Sequence, residues 1–150
     1  MLRTATFFSL VLIGMAGLVQ GADPERRVRS AAESEVLPYE EAYRKAQQER
    51  KPLVILVGAQ WCAACKTMKH DTMEPMQESG ALREVVYTQL DKDDQPELAG
   101  QVMQGKMLPQ IVVFCESDAG WKRFSLTGIQ TERRVKELIR KASEVLPARR

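Results

Sequence analysis

"LVILVGAQWCAACKTM" (Leu53–Met68) joins two unlike patterns, and the junction between them decides the fold. The first seven residues, Leu53–Ala59, are continuously apolar, as expected of a strand covered on both faces in a parallel sheet. Behind Trp61 two cysteines, Cys62 and Cys65, open a stretch that reads as a helix. Cys62 then falls at a helix N-terminus, where free backbone N–H groups and the helix dipole favour a thiolate. Lys66 adds positive charge one turn on. Cys65 lies three residues from Cys62, which on a helix puts the two Cα atoms about 5 Å apart, within reach of a disulfide.

A pair of this kind has three readings: a redox couple, half of a metal site, or two structural thiols. A structural zinc site needs four ligands, and the remaining candidates are Cys115 and His70. His70 lies eight residues past Cys62, about 12 Å along a helix axis, so these groups are not expected to converge. A purely structural disulfide is disfavoured because so short a loop restrains the unfolded chain little. The redox couple is the reading we carry forward, with Cys62 as the exposed nucleophile and Cys65 as the buried resolving thiol.

Working outward, "YEEAYRKAQQERK" carries Tyr39, Ala42, Tyr43 and Ala46 at helical spacing, and Pro52 ends it. The helix after the cysteines is predicted to run to about Met73, with Pro75 breaking or kinking it. Val85–Leu90 reads as a second strand, Pro96 opens a further helix, and Gln110–Phe114 reads as a third strand. "WKRFSL" returns as a hairpin partner after the turn "ESDAG". In the last helix Thr131 is the expected N-cap, and Val135, Leu138, Ile139, Ala142, Val145 and Leu146 form its apolar stripe. Strands separated by helices, closed by a hairpin, predict an α/β fold with a mixed four-stranded sheet and helices on both faces.

The ends of the chain differ from this core. Phe7–Val19 is uncharged and shorter than the ~20 residues a spanning helix needs, so residues 1–21 read as a signal peptide with cleavage after Gly21. An uncleaved N-terminal anchor is the alternative; either way the domain is expected to be exported, to the periplasm or beyond. Residues 22–36 are polar and aperiodic, a linker; 37–147 form the domain; 148–150 are a tail. With 44% hydrophobic and 28% charged residues and a net charge of +2, the composition is that of a soluble globular protein without a basic, aromatic-interleaved patch. Nucleic acid is therefore not an expected partner.

"WCAACK" after an apolar strand, "MLPQIVVF" downstream and "LTGIQT" before the last helix resemble the thioredoxin superfamily, over roughly Tyr39–Leu146. More narrowly, "KTMKHDTM" is similar to the C-terminal periplasmic domain of membrane thiol-reductant relays. The resemblance implies a thioredoxin fold, a cis Leu108–Pro109 peptide facing the cysteines, and a substrate chain pairing with the backbone of Leu108. It also implies that Gly128 allows close backbone approach and that Trp61 lines an apolar rim. Two positions depart from the pattern: Leu56 and Lys69 stand where relatives carry acids, so proton transfer from Cys65 needs water or another acid.

The expected function is exported thiol–disulfide exchange on protein disulfides, as a reductase, with no cofactor, in a monomer, fed by a membrane thiol-reductant relay. The alternatives are a redox-inactive binding module using the groove at Pro109, and a metal or haem-maturation chaperone. Cys115 is expected to be a small buried hydrophobe, and His70 a surface helix residue. Asp91–Asp94, "DKDD", lack the glycine and terminal glutamate of a calcium loop. Met107 is a candidate for the substrate rim.

Overall fold

The computed structural model describes residues 36–147. The signal peptide, all of the linker but Val36, and the tail lie outside the described residues. The elements run in the order α1 (Tyr39–Glu49), β1 (Leu53–Gly58), α2 (Ala63–Thr67), a π-helical stretch (Met68–Met73), α3 (Glu74–Glu78), β2 (Val86–Asp91), α4 (Pro96–Val102), β3 (Gln110–Ser117), β4 (Gly120–Thr127) and α5 (Glu132–Ser143).

One four-stranded sheet has the order β2-β1-β3-β4. β1 pairs parallel to β2, from Leu53 opposite Val86 to Gly58 opposite Asp91. β3 runs antiparallel to β1, with Leu56 opposite Ile111, and β4 runs antiparallel to β3. β1 is thus internal and buried from Leu53 to Val57, which explains its unbroken apolar run: neither face alternates toward water.

Alternate residues of β1 feed two cores. Leu53, Ile55 and Val57 pack with Ala42 and Ala46 of α1 and with Ala99 and Val102 of α4. Val54 and Leu56 pack on the other face with Met68, Met73 and Met76, and with Val135, Leu138 and Ala142 of α5. Burying each large aliphatic side chain is worth about 1.5–3 kcal/mol relative to leaving it in water. This is the thioredoxin fold: a mixed sheet with helices on both faces.

Two expectations need correction. The helix behind the cysteines does not stop at Met73; it passes through the π stretch into α3. Pro75 falls in the first turn of α3, where a missing N–H is tolerated, so the winding changes but the helix continues. β3 extends three residues past Phe114, because Ser117 Oγ donates to the Gly120 carbonyl at 2.7 Å and closes the hairpin. Thr131 is the N-cap of α5 as expected, with extended backbone (φ −79°, ψ 156°), although its side chain makes no capping hydrogen bond. Negative charge at that end comes instead from Glu132.

Candidate active site

β1 ends at Gly58, and the chain turns through Ala59–Trp61 to place Cys62 at the N-cap of α2 (φ −83°, ψ 103°). The turn is fixed by the Cys62 N–H, which donates to the Ala59 carbonyl at 3.1 Å. The Cys62 carbonyl then accepts from the N–H groups of Cys65 (3.1 Å) and Lys66 (3.2 Å). In place of a capping serine or aspartate oxygen, the Cys62 sulfur accepts from the Cys65 N–H at 3.2 Å. The helix start therefore directs a backbone hydrogen-bond donor, the Cys65 N–H, at this sulfur.

Cys62 and Cys65 form a disulfide with their Cα atoms 5.2 Å apart. The expected contrast between an exposed and a buried thiol is absent in this state: Cys62 is 8% exposed and Cys65 6%. Both pack with Ala59, and Ala64 and Leu108 close over them.

Leu108 belongs to the segment facing the disulfide. The Leu108–Pro109 peptide bond is cis, and the Pro109 carbonyl accepts from the Gly128 N–H at 2.8 Å. The preceding loop is held by a buried side chain that sequence reasoning passed over. Gln110 Nε2 donates to the carbonyls of Gln104 and Met107, both at 2.9 Å, while its Oε1 accepts from the Gln104 N–H at 3.0 Å. Gln110 has no exposed surface, so these bonds satisfy an otherwise costly buried amide.

Gly128 has φ +81°, yet a Cβ built there meets nothing within 4 Å. Within the described residues its glycine answers to backbone conformation. A close approach inside the chain is at Gly58, where an added Cβ would stand 3.2 Å from Cys65 Cβ. The signal for Gly58 in the sequence was only its place between strand and cysteines.

Trp61, Met107 and Ile129 are 69%, 68% and 56% exposed, and each neighbours a residue of the site in the chain. Trp61 is tethered: its Nε1 donates to Asp93 Oδ2 at 2.6 Å, and Lys92 Nζ sits 5.3 Å from the ring centroid. The hydrogen bond from Lys92, and after it the one from Trp61, holds the Asp93 carboxyl below the usual carboxylate range. The "DKDD" run thus serves as a turn that holds the tryptophan; Asp91 Oδ1 accepts from the Asp93 N–H at 2.9 Å within it.

Behind Cys65 lies an open cleft of about 610 Å³. Leu56, Gly58 and Cys65 contribute to its wall, with Lys66, Lys69 and His70 from the helix, Asp91 from the end of β2 and Asp94 from the turn after it. His70 Nδ1 is 2.8 Å from Glu74 Oε2. Cys115 is a free, fully buried thiol in the core, away from the pair, and burial pushes its ionisation up. Among the described residues no group of three or more His, Cys, Asp or Glu side chains could hold a metal ion.

A family model described as thioredoxin-like matches residues 32–115. Among solved structures, a chloroplastic thioredoxin z is 21% identical with a TM-score of 0.58, over 73% of this chain and 94% of that one. A thioredoxin from Thermus thermophilus is 20% identical with a TM-score of 0.61, over 73% and 86%. A point-mutant thioredoxin from Halobacterium salinarum is 22% identical with a TM-score of 0.56, over 77% and 96%. No curated protein matches the chain. The strand–turn–helix that carries the Cys62–Cys65 disulfide, the cis-proline segment facing it and the matched model agree: the chain belongs to the thioredoxin-like family, and its CxxC pair supports thiol–disulfide oxidoreductase chemistry.

Proposed function

We propose that the protein is an exported thiol–disulfide oxidoreductase acting on protein disulfides, and that it works as a reductase. The observation that carries this reading is the Cys62 sulfur at the helix N-cap, accepting a backbone N–H while bonded to Cys65. The same N–H and the helix N-terminus would favour the Cys62 thiolate in the reduced protein. That thiolate attacks a substrate disulfide, forms a mixed disulfide and expels one substrate thiolate. Cys65 then attacks the Cys62 sulfur, the second substrate sulfur leaves, and the Cys62–Cys65 disulfide returns. Two electrons pass from the protein dithiol to the substrate.

Trp61, Leu108, Pro109 and Gly128 are the proposed substrate-binding residues, with the substrate chain lying along the backbone at Leu108. The exposed apolar side chains of Trp61, Met107 and Ile129 suit a protein segment better than a small polar disulfide. Export rests on the apolar Phe7–Val19 run. The reductase direction and a membrane thiol-reductant relay as electron donor rest on the resemblance of "KTMKHDTM".

Insulin reduction with dithiothreitol, comparing wild type with Cys62→Ser, tests the enzyme reading. Turnover is expected from the wild type alone. Equal activity in both proteins would replace it with a thioredoxin-fold binding module.

A further inference from the structure

The resolving step proposed above needs a group to take the Cys65 proton, and the buried surroundings of that thiol offer none. Its packed neighbours Ala59, Cys62, Ala64 and Leu108 are apolar or sulfur, and Leu56, also in the cleft wall, is apolar too. The proton must leave through the cleft.

We propose that His70, oriented by Glu74, accepts the Cys65 proton through water in the cleft that both Cys65 and His70 line. The inference rests on the exchange reading and adds a positioning residue to it. A space of about 610 Å³ far exceeds the ~10–15 Å³ of probe volume that one water needs. His70 follows Cys65 by five residues, an axial rise of about 7.5 Å on a helix, and both side chains line the one cleft, so the path between them runs through water held there. The distance from Cys62, which argued against His70 in the sequence, is not the relevant one.

The pairing of Nδ1 with Glu74 at 2.8 Å puts the ring proton of a neutral His70 on Nδ1 and the lone pair on Nε2. The other charged groups facing the cleft are Lys66 and Lys69 from the same helix, and Asp91 and Asp94 from the end of β2 and the turn after it. Ammonium groups have no lone pair to offer; they favour the thiolate once it forms. Carboxylates are weaker bases than imidazole toward a thiol, and one Asp91 oxygen is engaged with the Asp93 N–H.

The Cys65 S–H bond breaks, its proton passing through water to His70 Nε2, and the freed electron pair attacks the Cys62 sulfur. The bond from Cys62 to the substrate sulfur breaks, and the departing thiolate regains a proton from solvent or from the imidazolium.

Reduced protein mixed with dithiobis(nitrobenzoate) separates the two steps. Attack by Cys62 releases a first yellow thiolate, and attack by Cys65 a second. In H70Q the first phase should match wild type, while the second slows at least about tenfold at neutral pH, and its rise with pH moves to the alkaline side. E74Q should fall between. Unchanged melting of H70Q would separate this effect from a loss of structure. The inference is overturned if the second phase of H70Q keeps the wild-type pH profile, or if D91N or D94N abolishes a profile that H70Q retains. A wild type that releases only the first thiolate at every pH sinks the exchange reading, and this inference with it.

Discussion

Gly58 leaves the backbone of β1 so near Cys65 that a Cβ at Gly58 would stand 3.2 Å from the Cys65 Cβ and 3.4 Å from its sulfur. Gly58→Ala is therefore expected to push the resolving cysteine or the strand by a few tenths of an ångström. The expected cost is about 1–3 kcal/mol, together with slower insulin reduction. Gly128→Ala makes the control, since a Cβ there meets nothing within 4 Å. Its cost of about 1 kcal/mol should come from the positive φ alone. Denaturant unfolding of both variants, oxidised and reduced, checks the contrast; equal losses at the two glycines would refute it.

Cys65→Ser should arrest the cycle after the first attack, because the hydroxyl of serine does not displace the substrate sulfur. Mixed disulfides on Cys62 are expected to accumulate and to be visible by non-reducing electrophoresis and intact-mass measurement. The Cys62→Ser protein should trap none. Comparable trapping by both variants would take the nucleophile's role away from Cys62.

Gln110→Leu keeps the bulk of a fully buried side chain but abandons three backbone groups, the N–H and carbonyl of Gln104 and the carbonyl of Met107. Those groups lie in a loop with exposed residues and regain some water, so the loss should be about 2 kcal/mol rather than the sum of three buried orphans. The loop leading to Leu108 should loosen as well. Faster amide exchange at residues 104–108, with α1 unaffected, is the expected signature; uniform protection throughout would mean that Gln110 holds nothing in place.

The tether between Asp93 and Trp61 should survive mild acid. Lys92 first, and Trp61 second, hold the Asp93 carboxyl below its ordinary value of 3.8. A carboxyl whose folded-state ionisation is lowered contributes stability above its unfolded value and loses it as pH falls through the lowered one. Trp61 fluorescence, read in a Trp121→Phe background, should hold constant down to the ordinary carboxylate range and change only below it. Asp93→Asn should remove that acid transition. A wild-type midpoint at or above the ordinary value would contradict the tether.

Several of these relationships were legible in the residues alone. The unbroken apolar run Leu53–Val57 announced a strand covered on both faces, and β1 lies inside the sheet with a core on each side. The cysteine spacing fixed a separation that any helical start must give, and the Cα atoms stand 5.2 Å apart. The apolar stripe of α5 matched its buried residues Val135, Leu138 and Ala142. Pro75 misled because proline signals a break only relative to a helix start, and the π stretch ahead of it gives no pattern in the residues. The "DKDD" turn was read for its charges, while its contact with Trp61 spans 32 residues.

Local order came from the chain itself: periodicity, the strand-to-helix junction and the thiol pair all depend on neighbours within a few residues, whose geometry backbone sterics dictate. Which side chains meet across the sheet did not. That Gly58 rather than Gly128 crowds a cysteine, that Gln110 staples a loop, and that Cys65 and His70 share one cleft follow from how helices settle on β1 and β2. Those contacts join residues whose approach depends on packing of the whole core, and no local pattern encodes it.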